Sequence, residues 1–115
     1  MIPRIILRSL TAYIEHGEPP DEHSCLRKIL ENDLAEAVGR ADPETFSALK
    51  EIVVLLYTFA PGKCWGSPAA LIHWLATDQE HRDRIALHGD WPDRPDEYKL
   101  PSESPKSAQS AEKSS

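Results

Sequence analysis

The sequence predicts an all-α protein, a compact bundle of about four helices with a disordered C-terminal tail. Three observations predict it. Aliphatic residues recur three and four apart through four successive segments, the period of an amphipathic helix. Two of those segments open on an acceptor followed by proline, Asp42-Pro43 and Ser67-Pro68, a helix start signal. After residue 88 the aliphatic pattern stops and proline and serine become frequent. The chain therefore reads as a helical domain, 1–88, and an acidic Pro/Ser-rich tail, 89–115. From about residue 100 the tail has too little apolar surface to repay ordering, so disorder is expected there.

The first helix is expected over 3–16, where Ile2, Ile6, Leu10 and Ile14 share a face with Tyr13 beside them. Pro3 suits the first turn, where its missing N–H costs nothing. Gly17 can end the helix in a left-handed conformation, and Glu18-Pro19-Pro20 forces an extended turn. The second helix is expected over about 22–39, on the stripe Leu26, Leu30, Leu34 and Val38, with Asp21 or Ser24 as its cap. The third, 43–60, starts at Asp42-Pro43 and carries Phe46, Leu49, Val53, Leu56 and Ala60 on one stripe. Ile52, Leu55 and Phe59 widen its apolar arc. A helix apolar over so wide an arc is central or covers an interface, so a homodimer through 43–60 is one expectation. The fourth, 68–88, places Leu71 and Leu75 on one face and is polar over 77–84, which predicts exposure there. Trp91 and Tyr98 in the tail either fold back on the body or offer aromatic contacts to a partner.

Composition narrows the function classes. A length of 115 residues fits one domain. The formal charge of −6 argues against a primary nucleic-acid binder, which normally presents a basic face. The two cysteines, Cys25 and Cys64, form no Cys-x-x-Cys pair and no disulfide framework. The N-terminus has arginines inside its apolar pattern, unlike a signal peptide, and the longest apolar run, 52–60, is too short to span a bilayer. A soluble protein of a bacterial cytoplasm, without cofactor or metal, is expected.

The run "CWGSP" at 64–68 poses the main site question. As chemistry, Cys64 precedes a helix that carries His73, and a thiol so placed can be activated. As architecture, Ser67 caps the helix, Pro68 opens it, Gly66 supplies a positive φ, and Trp65 covers the corner. The spacing favours the corner, because Cys64 lies three residues before the cap. Trp65 and Cys64 then become candidates for a partner contact, together with Asn32, Asp33 and Trp91. Asn32, Asp33 and Glu36 fall close together in "LENDLAEA", a solvated acidic face or a carboxylate pair for acid–base work. Asp78, His81 and His88 share a helical face, but no further soft ligand is placed beside them, so a surface pair is expected rather than a metal site. Arg4, Arg8 and Arg27 are scattered, without the interleaved aromatics of a nucleic-acid motif.

The stretches "EHGEPP", "LENDLAEAVGRAD", "EIVVLLY" and "APGKCWGSPAALIHW" occur together in this order. In this the chain resembles a group of small, uncharacterised proteins carried by bacteriophages, prophages and some plasmids, which share an LxNDL…RAD…WGSP pattern. The resemblance covers residues 13–74 and leaves out the tail. It implies a mobile-element accessory protein that binds a host or defence protein, and it assigns no catalytic set. The expected function is therefore a non-enzymatic protein-interaction module. A small Cys64/His73 or Asp33/Glu36 enzyme, and a nucleotide or nucleic-acid binder using Arg4, Arg8 and Arg27, are the alternatives.

Overall fold

The computed structural model describes residues 1–100. Its described part is all-α, with seven helices and no strand: α1 (Arg4–His16), α2 (Cys25–Leu30), α3 (Leu34–Arg40), α4 (Pro43–Ser47), α5 (Leu49–Phe59), α6 (Pro68–Ala76) and α7 (Gln79–His88). Short 3-10 turns follow at Gly62–Cys64, Trp91–Asp93 and Asp96–Tyr98. The count exceeds four because each of the last three expected helices is broken once.

The breaks have local causes. In the second segment, Asn32 takes a left-handed conformation, φ 62°. The Asn32 N–H bonds the Ile29 carbonyl at 2.9 Å and the Asp33 N–H reaches back to Lys28 at 2.8 Å. These are the two bonds of a Schellman ending. Asp33 then caps α3 by accepting from the Glu36 N–H at 3.4 Å. The expectation that Asn32, Asp33 and Glu36 lie on one continuous helix is thus corrected. The break also rotates α3, so Leu34 and Val38 leave the buried stripe and only Ala37 of that helix is buried. Ser24, not Asp21, caps α2, accepting from the Arg27 N–H at 3.1 Å.

In the third segment, Ala48 (φ −96°, ψ 2°) bends the chain between α4 and α5. The buried positions Thr45, Ala48, Ile52, Leu55 and Leu56 keep helical spacing through this joint. The buried face is thus rotated from the expected one, and Phe46 points outward. In the fourth segment the helix stops at Ala76, and Asp78 caps α7 by accepting from the His81 N–H at 2.8 Å. Asp78 therefore serves the backbone, and the spacing it shares with His81 has a structural use. The expected exposure over 77–84 fails at Arg82, which is buried.

The core gathers Leu7, Leu10, Tyr13 and Ile14 of α1 with Leu26, Ile29 and Leu30 of α2 and Ile52, Leu55 and Leu56 of α5. Leu71 and Trp74 of α6 complete it. Gly17 ends α1 at φ 67°, as its position predicts, while Pro3 sits at the N-cap rather than inside the first turn.

The chain beyond residue 88 does not leave the body at once. Trp91 is buried in the same core. Its indole N–H donates to Glu15 at 3.0 Å, and the Arg94 guanidinium stacks 3.9 Å from its ring centre. Arg94 also bonds the Trp91 carbonyl at 2.8 Å and faces Glu15 at 3.7 Å. The Tyr98 hydroxyl donates to Glu51 at 2.6 Å. Residues 90–100 thus form a strap across α1 and α5, and the ordered body extends past the expected boundary at 88. The rest of the expected disordered tail, 101–115, lies outside the described residues.

Candidate functional site

The corner at 61–68 is built from both directions. Ser67 accepts from the Ala70 N–H at 3.0 Å and Pro68 opens α6. Asp42 repeats the arrangement ahead of Pro43, accepting from the Thr45 N–H at 2.7 Å. Gly66 sits at φ 115°, and its N–H donates to the Leu30 carbonyl at the end of α2, 2.8 Å away. The Tyr13 hydroxyl donates to the Cys64 carbonyl at 2.6 Å. The Trp74 indole N–H donates to the Tyr13 carbonyl at 3.1 Å. Tyr13 is therefore bonded at both ends, and the corner is tied to α1 and α2.

This geometry decides the two residues of the corner differently. Cys64 is fully buried, and burial pushes its thiol up to about 12. The expectation that Cys64 contacts a partner is corrected: its side chain packs in the core and its carbonyl is the part in use. Cys25 is buried as well, with its thiol raised by the same cause. His73 lies exposed on α6, so the Cys64/His73 pairing sets a buried, protonated thiol against a solvent-facing imidazole. Trp65 is half-buried and packs against the core. Trp91 is withdrawn from the candidate contacts by its burial in the strap.

Other candidates are likewise absorbed by structure. Asp33 caps α3, and Glu36 pairs with Arg40 at 3.0 Å, so the two carboxylates have separate duties. Arg4 and Arg8 are exposed on α1, whereas Arg27 is committed to Glu31 at 3.0 Å and to the Pro20 carbonyl at 3.2 Å. The three arginines do not form one free cationic site. Among the described residues no group of three or more His, Cys, Asp or Glu side chains is placed to hold a metal ion, and no helix is long and apolar enough to cross a membrane. An open groove of about 340 Å³ lies between Ile2, Leu7 and Tyr98. Its acid Glu51 already takes the Tyr98 hydroxyl on one oxygen and the N-terminal ammonium, at 3.0 Å, on the other.

The sequence reading missed Arg82. Its guanidinium donates to the Trp74 carbonyl at 3.3 Å, to the Thr77 carbonyl and to Gln79 Oε1. It thereby neutralises the carbonyl end of α6. Nothing in "HRDR" marks one arginine as buried and the other as exposed.

Among the described residues, large apolar side chains stand exposed singly at Ile5 of α1 and Ile72 of α6, and more than one to a surface on α3 and on α4–α5. On α3, Leu34 is 64% and Val38 40% exposed, four residues apart on one face. Asn32 is exposed just before this helix, and the nearby sequence carries Asp33, Glu36, Asp42 and Glu44. On α4 and α5, Phe46 is 55%, Val54 50% and Tyr57 83% exposed. No family model, no curated protein and no solved structure matches this chain.

Proposed function

We propose that this chain is a protein-interaction module that acts by binding rather than by catalysis, and that α3 with the start of α4 is its contact surface. The observation that carries this reading is the exposure of Leu34 and Val38 on a short, well-capped helix that buries only Ala37. An exposed aliphatic pair on a chain of net charge −6 suits a partner with an apolar groove and a basic rim. Arg40 offers little opposition, because it is paired with Glu36. The burial of both thiols supports binding over thiol chemistry. The resemblance to phage- and prophage-carried proteins supports a partner among the host or defence proteins of a bacterium.

The test compares the tagged wild type with Leu34→Ser and Val38→Ser variants in capture from bacterial lysate. A protein held by the wild type and lost from both variants, at unchanged helicity, supports the proposal. Equal capture by all three removes this surface. The enzyme alternative predicts a phenotype that disappears in a folded Cys64→Ala or Asp33→Asn variant and survives in Leu34→Ser.

A further inference from the structure

The strap is anchored at two depths. Its root, residues 91–94, belongs to the core: Trp91 is 2% and Arg94 3% exposed. Arg94 holds the root through the Trp91 carbonyl, the Trp91 ring and Glu15. Lifting the root would withdraw a tryptophan from the core and part a buried cation from its acid, both costly. The tip, residues 95–100, lies at the surface. Pro95, Asp96 and Glu97 are exposed, and Tyr98, Lys99 and Leu100 are half-buried.

The tip holds its own shape. The Tyr98 N–H donates to the Pro95 carbonyl at 2.9 Å and the Lys99 N–H to the Asp96 carbonyl at 3.0 Å, while the Lys99 ammonium faces Asp96 at 3.6 Å. Root and tip meet at Arg94-Pro95. Both residues are extended there, with ψ 153° and 149°, and proline has no N–H to tie the joint. A change in the ψ of Pro95 swings the tip and leaves the bonds inside root and tip intact. Opening gives up the Tyr98 hydroxyl bond to Glu51, the Arg94 bond to the Tyr98 carbonyl at 3.2 Å, and the packing of Tyr98 and Leu100 on the core. Arg94 keeps Glu15 and Glu51 keeps the N-terminal ammonium, so these charges stay paired. Beside Tyr98 lies the groove of about 340 Å³, whose other walls include Ile2 and Leu7, 3% and 6% exposed.

We infer that residues 95–100 are a lid, hinged at Arg94-Pro95 and latched by Tyr98 on Glu51, which opens while the root stays docked and uncovers Ile2 and Leu7. The lid is thus a local opening unit, less stable than the core it rests on, and it governs access to the groove.

Thiol labelling of the full chain, located by mass spectrometry of its peptides, reads the opening. Cys64 is fully buried and serves as the reference for opening of the core. In a Leu7→Cys variant the new thiol should label at least about tenfold faster than Cys64, each rate taken relative to the unfolded chain. Adding Tyr98→Phe should raise the rate at position 7 about tenfold further, the worth of one hydrogen bond to a charged group, and change the Cys64 rate less than about twofold. Exchange of the Trp91 indole N–H, followed by NMR, should stay as slow as in the wild type, because its bond to Glu15 belongs to the root. Ile2→Cys repeats the measurement at a second wall of the groove if Leu7→Cys does not fold. Equal rates at position 7 and Cys64 would make the strap and core one cooperative unit and overturn the inference. So would faster exchange of the Trp91 indole in Tyr98→Phe, which would set the hinge ahead of the root. A rate at position 7 indifferent to Tyr98→Phe would overturn the latch. The measurement is independent of α3, so capture through Leu34 and Val38 stands or falls separately.

Discussion

Gly17 shows how one position can be fixed by two unrelated demands. Its φ of 67° is the left-handed ending of α1, a conformation that costs any residue with a Cβ. A Cβ built there would also lie 2.5 Å from the Arg82 guanidinium. The first demand is legible in the sequence, since a glycine directly after an aliphatic stripe reads as a helix end. The second is not, because it depends on a side chain 65 residues away crossing the end of α6. Gly17→Ala should therefore destabilise the fold by more than the about 1 kcal/mol of the backbone effect alone, on the order of 2–3 kcal/mol. A urea titration checks this: the midpoint falls while the slope stays constant. Gly66→Ala is the control. Gly66 shares the positive φ but has open space at its Cβ, so it should lose only the backbone part.

At the scale of the element, the positions of the helices were legible and their breaks were not. The aliphatic stripes, Asp42-Pro43 and Ser67-Pro68 correctly located segments and starts, because those signals are local and additive. The break at 32–33 was hidden by Leu34 and Val38, which continue the four-residue spacing of Leu26 and Leu30 although the helix has ended. An Asn-Asp pair followed three residues later by Glu36 was the available sign: a left-handed stop, then a capping acid. The same holds for Asp78, whose capping of α7 competed with its reading as a neighbour of His81. Partner candidates fared unevenly for a related reason. Exposure decides contact, and periodicity alone could not distinguish buried Cys64 and Trp91 from half-buried Trp65. The break at 32–33 predicts a contrast between variants. Asn32→Gly should leave stability unchanged or slightly raised, while Asn32→Leu should cost about 1 kcal/mol or more, since a γ-branched side chain resists a positive φ. Asp33→Ala should cost about 1 kcal/mol through the lost cap. If Asn32→Leu were neutral in urea unfolding, α2 and α3 would be one helix after all.

The whole molecule is held at its edges by carboxylates that work only when ionised. Tyr98 and the N-terminal ammonium draw Glu51 below its ordinary range, and this pair fastens the strap and the N-terminus to α5. At Glu31 burial pushes the carboxyl up, but hydrogen bonds from Arg27 and Lys28 outweigh it and leave it lowered. Asp42 is lowered by the backbone N–H of Thr45 at the start of α4. Each of the three has a folded value below its unfolded one. Its stabilising share is therefore complete above the unfolded range, near pH 4–4.5, and is lost as pH falls through the lower folded range. Tyr98 behaves in the opposite sense. Its hydrogen bond to Glu51 pushes the phenol up to about 12, so its share is complete below about pH 10 and lost as pH rises through that higher value. The strap should thus be the part of the fold that is sensitive to both acid and alkali. Urea midpoints measured against pH test this. Glu51→Gln should start lower at neutral pH and then lose less than the wild type below about pH 4.5. Tyr98→Phe should flatten the alkaline fall as well, because it removes the phenol that must stay protonated. Hydrogen exchange at residues 95–100 should accelerate in both variants before the amides of α1 and α5 respond. An acid fall of equal steepness in Glu51→Gln and wild type would assign acid sensitivity to Glu31 and Asp42 and leave the strap held by contacts other than the Tyr98–Glu51 pair, those of Trp91 and Arg94 among them.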